Sequence, residues 1–151
     1  LRGTFKGADR QLVPLQVFDA AHDWPVAITL ADNMVDPYLT GIDATDGSEV
    51  VNYGNYGVVY HIFLPSQNGR TAYYLSPRGG DYAGAVGIKY RDIEQNPVAT
   101  PAGRLYFGGR ETNEFALLGT FTGDKSLWLT FSPPGASNLP VKIVIVPQPN
   151  N

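Results

Sequence analysis

The chain has 151 residues with 43% hydrophobic and 17% charged content, enough for one domain with a sizeable core. It has no cysteine and a formal net charge of −3; this excludes disulfides, thiolate metal sites and a cysteine nucleophile, and without a basic patch it argues against nucleic acid as a partner. Seventeen glycines, twelve prolines and nine tyrosines, with no helical period and no apolar run of membrane-spanning length, predict an all-β protein without a membrane span.

The sequence opens at Leu1 without an initiator methionine. This points to a processed, exported polypeptide, extracellular or at the cell surface, its signal peptide already removed. Gly3 and Gly7 make the first nine residues pliable. Residues 11–18 read as a strand, and Pro14, lacking an N–H, assigns it to an edge or a bulge. Residues 1–18 are thus expected to form an arm and edge strand, and residues 19–151 a single β-sandwich domain.

Residues 25–31 form the next predicted strand, with Val26, Ile28 and Leu30 on one face. Residues 32–47 read as a loop rich in Asp, Asn, Gly and Pro, followed by a short strand over 49–52. Residues 58–64 are apolar on both alternate sets, which marks a central strand covered on both faces. Asn68-Gly69 favours a type I′ turn and predicts a hairpin joining 58–64 to 70–76. The small residues within 82–90 predict a strand that something else approaches closely. Residues 92–103 read as a long polar loop and 104–107 as a short strand. Residues 115–121 and 126–131 read as a second hairpin, and 139–146 as a closing strand stopped by Pro147 and Pro149. Nine or ten short strands at this spacing predict an antiparallel β-sandwich, jelly-roll or Ig-like, with a closed barrel as second choice.

Asp36, Asp43 and Asp46, with Asp32 and Glu49 nearby, are the candidate metal ligands. Clustered carboxylates suit a hard cation such as Ca²⁺, although the spacing is not that of an EF-hand and Asp also stabilises turns. No other cofactor is expected. The histidines are His22 and His61; His61, in an apolar strand, reads as a core or interface residue. No Gly-x-Ser-x-Gly elbow and no selected carboxylate pair appear. The chain is therefore expected not to be an enzyme; a hydrolase is the third reading, and it would require a pocket holding His61 or two facing carboxylates.

Two non-enzymatic functions compete. The first is a structural protein that self-assembles into an extracellular filament or surface layer by strand pairing between subunits. Leu1, Phe5, Leu12, Val13, Leu15 and Val17 of the arm, and Val141, Ile143 and Ile145 of the closing strand, would make those contacts. The partner is then another copy of the chain. The second is a carbohydrate-binding module for cell-wall or extracellular polysaccharide. It would present Trp24, Tyr53, Tyr56, Tyr74, Tyr82 and Trp128 as a row of exposed rings on one sheet face or in a groove. The same aromatics also serve ordinary cross-strand packing.

Several turn-rich pieces share a likeness: Gly3-Thr-Phe, Asp36-Pro, Gly41-Ile-Asp-Ala-Thr-Asp-Gly47, Gly54-Asn-Tyr-Gly-Val-Val-Tyr60, Ser76-Pro-Arg-Gly-Gly80, Tyr82-Ala-Gly-Ala85 and Phe131-Ser-Pro-Pro-Gly-Ala-Ser-Asn-Leu-Pro140. Together they resemble the C-terminal region of secreted Gram-positive surface proteins that carry copper-amine-oxidase-N-terminal-like, or stalk, domains. That resemblance implies a cell-surface setting and no copper or oxidase chemistry.

Overall fold

The structure is a computed structural model that describes residues 4–5, 9–77, 82–99, 115–123, 127–135, 137 and 139–148. The arm residue Leu1 and the expected strand over 104–107 lie outside them, and Phe5 is placed by its backbone alone. In chain order the strands are β1 (Thr4–Phe5), β2 (Asp9–Leu12), β3 (Phe18–Asp19), β4 (Val26–Leu30), β5 (Thr40–Ile42), β6 (Glu49–Val51), β7 (Val59–Phe63) and β8 (Ser66–Gln67). They continue with β9 (Arg70–Pro77), β10 (Ala85–Tyr90), β11 (Ile93–Glu94), β12 (Val98–Ala99), β13 (Ala116–Thr122), β14 (Trp128–Phe131) and β15 (Val141–Gln148). The described residues contain no helix, and hence none long and apolar enough to cross a membrane.

Two sheets form a β-sandwich. Sheet I has the order β11-β10-β14-β7-β2, with β12 also beside β10, and sheet II the order β13-β9-β15-β4. Neighbours are antiparallel except β2, which runs parallel to β7. Neither sheet closes into a barrel. The period-two pattern explains the core: Tyr60, Ile62, Val86, Ile88, Leu129 and Phe131 of sheet I meet Leu30, Tyr73, Leu75, Leu118, Val141 and Ile143 of sheet II, all buried. Each such side chain contributes about 1.5–3 kcal/mol relative to its exposed state.

Both expected hairpins are instead crossings between sheets. β7 lies in sheet I and β9 in sheet II; β13 lies in sheet II and β14 in sheet I. Asn68 and Gly69 do take positive φ, 60° and 140°, as a type I′ turn requires. The strands still part, because Leu64 N–H donates to the Leu127 carbonyl and the Pro65 carbonyl accepts from Phe18 N–H. The two crossings touch: Gly123 N–H donates to the Gly69 carbonyl at 2.6 Å, and a Cβ at Gly123 would stand 2.9 Å from the Gln67 Cα.

The closing strand is not marginal. β15 pairs with β9 on one side and β4 on the other, and Val141, Ile143 and Ile145 are buried in the core. Its backbone is paired on both sides over Val141–Ile145, and Val146, Pro147 and Gln148 pair with β9 alone. The arm is engaged too, β1 beside β5 and β2 beside β7, with Leu12 packed against the core. Among the described residues, β4 has a strand neighbour on one side only.

Within the expected 92–103 loop, the described residues 92–99 carry two short strands, and residues 100–103 lie outside the described residues. Arg91 and Asp92 take φ of 52° and 62° and form a two-residue turn between β10 and β11. β12 then returns to pair with β10.

Candidate functional site

The outer face of sheet I carries an open groove of about 800 Å³. Strand register builds its floor. Gly87 stands opposite Thr130, Thr130 opposite His61, and His61 opposite Gln11. Directly opposed residues point to the same face, so these four make one row across β10, β14, β7 and β2. The next row is Lys89, Trp128 and Phe63. Trp128 stacks on Phe63 with ring centroids 4.7 Å apart and planes 29° from parallel, which fixes the indole as a wall. The β10–β11 turn brings Glu94, Gln95 and Pro97 to one end, and Asp9 stands at the other. The polar lining can donate and accept hydrogen bonds along the groove, and the indole adds one apolar surface.

Behind this face lies a buried polar cluster. Asp36 pairs with Arg10 of β2. Its Oδ2 accepts from the Tyr60 hydroxyl at 2.5 Å and from Ala31 N–H at 2.6 Å. Asn55, itself at φ 52°, donates to the Tyr60 hydroxyl at 2.9 Å and accepts from Leu39 N–H at 2.7 Å. Burial first, then the bond to Asp36, pushes the Tyr60 phenol far above its usual range. The cluster ties edge strand β2 and the 31–39 loop to central strand β7.

That geometry reassigns several expected roles. Asp36, expected beside Asp43 and Asp46 as a Ca²⁺ ligand, spends its oxygens on Arg10, Tyr60 and Ala31. Asp43 accepts from Thr45 N–H at 2.8 Å, and Asp46 from the Ser48 N–H at 2.9 Å and hydroxyl at 2.6 Å. Among the described residues no three His, Asp or Glu side chains are grouped to hold a metal. His61 is exposed in the groove rather than in the core. His22 lies on the surface, its Nδ1 3.0 Å from Asp19 Oδ2.

The six expected sugar-stacking aromatics do not form the row that the carbohydrate-binding expectation required, so that expectation fails in the form of an aromatic platform. Trp128 alone lines the groove. Trp24 and Tyr53 are exposed elsewhere, Tyr53 edge-on to Tyr38 at 5.8 Å. The Tyr56 hydroxyl donates to the Ser137 carbonyl at 2.5 Å. Tyr74 lies on the outer face of sheet II, and Tyr82 is wholly buried against Phe131. Sequence reading missed Gln11, Gly87, Lys89, Glu94, Gln95 and Thr130. A signal was present: in β10 and β14, polar or small residues alternate with the buried apolar set.

A smaller apolar cleft of about 230 Å³ opens beside β4, lined by Pro14, Val17, Val26, Ile28, Leu64 and Tyr73 among others. Val13 and Leu15, on the neighbouring segment, are exposed.

No family model matches the chain, and no curated protein matches it. Among solved structures it is similar to a Podospora anserina GH26-CBM35 β-(1,4)-mannanase, at 15% identity and a TM-score of 0.39, over 86% of this chain and 29% of that one. The chain thus spans less than a third of that protein's length.

Proposed function

We propose that this chain is a non-enzymatic polysaccharide-binding module, working outside the cell or at its surface, that holds a neutral glycan in the groove across sheet I. One observation carries this reading: the outer face of sheet I replaces apolar filling with Gln11, His61, Thr130, Lys89 and Gln95 around a fixed indole. Ligand sites combine apolar surface with a few placed polar groups, and a pyranose offers both an apolar ring face and a rim of hydroxyls. Lys89 stands opposite Glu94, Arg10 is paired with Asp36 behind the groove, and Asp9 adds a second carboxylate to the lining. Such a lining does not attract a polyanion. Affinity electrophoresis in gels of neutral and acidic polysaccharides tests it. Neutral glycans should retard the protein, and Trp128→Ala should weaken retention about tenfold, or 1.4 kcal/mol. Equal migration of both proteins in every gel would overturn the assignment.

A different observation supports self-association as a second reading. β4 offers its unpaired backbone side and an exposed Val26 next to the apolar cleft, while Leu15 projects fully into solvent beside it. Knob and hollow on one edge suit a two-fold contact, with Leu15 of each copy entering the other's cleft and the β4 strands pairing. Light scattering over a concentration series should show dimers that Leu15→Lys abolishes. A monomer at millimolar concentration removes this reading.

A further inference from the structure

Resting on the groove assignment, we infer that the ligand is a flat, extended β-1,4-linked chain lying across the strands, and that Gly87 keeps its deepest ring subsite open. The row Gly87, Thr130, His61 and Gln11 crosses four strands in register. Neighbouring strands lie about 4.8 Å apart, so the row is about 14 Å long. The repeat of an extended β-1,4 hexopyranose chain is close to the strand spacing, so successive rings fall on successive strands. The rings over β14, β7 and β2 each meet one polar side chain of the row, and the ring over β10 lies on the bare backbone of Gly87. An α-1,4 chain curls and leaves such a floor after one or two rings.

The floor is not level. Gln11 and His61 project from it, Thr130 is short and Gly87 contributes no side chain. The hollow over Gly87 and Thr130 is bounded by Trp128 and Lys89 alongside and by Glu94 and Gln95 at its end. Nothing in the backbone requires glycine there. Gly87 is not among the residues with positive φ. A Cβ at Gly87 would meet the Thr130 Cβ at 3.6 Å and carbonyl oxygen at 3.7 Å, an ordinary contact. Glycine inside a strand is less stable than a residue with a side chain, because it has more backbone freedom to lose on folding. An interior glycine marks a bulge, a tight bend or a close approach by a ligand or another backbone; the unbroken register of β10 against β14 excludes the bulge here, and the groove lies over this position. Its absence of a side chain serves the groove and not the fold.

The test uses the whole chain with cello-, manno- and xylo-oligosaccharides, maltopentaose as the α-linked probe, and the variants Gly87→Ala and Gly87→Val, read by calorimetry and thermal melting. At least one β-1,4 series should bind, with affinity rising until about four rings, one for each strand of the row, are present and then levelling. Gly87→Val should lose at least about tenfold in affinity while its Tm stays equal or rises, and Gly87→Ala should fall between. Maltopentaose binding as tightly, or Gly87→Val binding like the parent, sinks the inference and leaves the polysaccharide assignment standing. Failure of the parent chain to bind any neutral glycan sinks both.

Discussion

The two sheets match on their inner faces and diverge on their outer ones. Across sheet II, Leu117, Tyr74, Val144 and Ala27 stand in one register line, with Phe115 edge-on to Tyr74 at 6.3 Å. Across sheet I the corresponding line reads Gly87, Thr130, His61 and Gln11. Sheet II gives this line mainly to apolar residues, which suits cross-strand packing, while its next outer line, Ser76, Lys142 and Thr29, is polar. Sheet I has the reverse: the line Gly87 to Gln11 is small or hydrogen-bonding, and the apolar stack of Trp128 on Phe63 stands in the line beside it. Because alternate strand positions are independent of the core, a sandwich can commit one face to the fold and leave another free for recognition.

If the sheets are equal partners in one core, equivalent inner substitutions should cost alike. Leu129→Ala in sheet I and Ile143→Ala in sheet II remove side chains that are both 0% exposed. Each should lower stability by about 2–5 kcal/mol, read as the shift of the urea midpoint. A near-neutral result in one sheet alone would show that this sheet does not share the core. Next in size is Asp36→Ala. It removes the acceptor of Arg10 and of the Tyr60 hydroxyl, leaving a half-buried cation unpaired and the buried hydroxyl with only the bond it accepts from Asn55. The expected loss is about 3 kcal/mol. A loss under about 1 kcal/mol, typical of a solvated pair, would mean the cluster does not anchor β2 behind the groove.

The sequence made the sandwich legible and its wiring much less so. Period-two patterning in residues such as Leu129 and Phe131 identified the inner faces because burial selects them directly. Asn68-Gly69 signalled its turn correctly, yet a turn does not say whether its strands pair or part. The partners of β7 and β9 are β14, β2, β13 and β15, and that choice depends on contacts distant in sequence. The Arg91-Asp92 turn escaped notice because Arg91 is not a usual carrier of positive φ and no glycine marks the pair, although Asp92 is of a type that tolerates it. At the site, Trp128 was readable as an exposed aromatic. Gln11, Thr130 and Gly87 were not, because only cross-strand register puts three ordinary residues into one row. Asp36 looked like one of several loop carboxylates, and its role appears only once the fold brings Arg10 and Tyr60 to it.

A smaller effect separates the outer faces. Leu117→Lys places a charge on the exposed line of sheet II, where Leu117 is 52% exposed. It should change stability by no more than about 0.5 kcal/mol and leave glycan retardation unaltered, whereas Trp128→Ala on sheet I should reduce it. If the two variants reduced retardation equally, the faces would not be functionally distinct.

The smallest expected effect concerns how the loop behind the groove holds its shape. Asp32 Oδ1 accepts from Asp36 N–H at 2.9 Å and Met34 N–H at 3.0 Å. The bond from Asp36, more than any other interaction, keeps the Asp32 carboxyl below its ordinary 3.8. Folding therefore favours the charged form. The stabilisation is present above the unfolded value and is lost as pH falls through the lowered folded one. Asp32→Asn keeps an oxygen acceptor but takes up no proton. Parent and variant should differ most near neutral pH and converge in acid, by a small margin because solvent screens this near-surface group. Urea midpoints from about pH 7 down to about pH 2.5 give that difference directly. A gap independent of pH would mean the loop depends on the shape of its acceptor alone, and that the charge at Asp32 does nothing for the Asp36 cluster that braces sheet I.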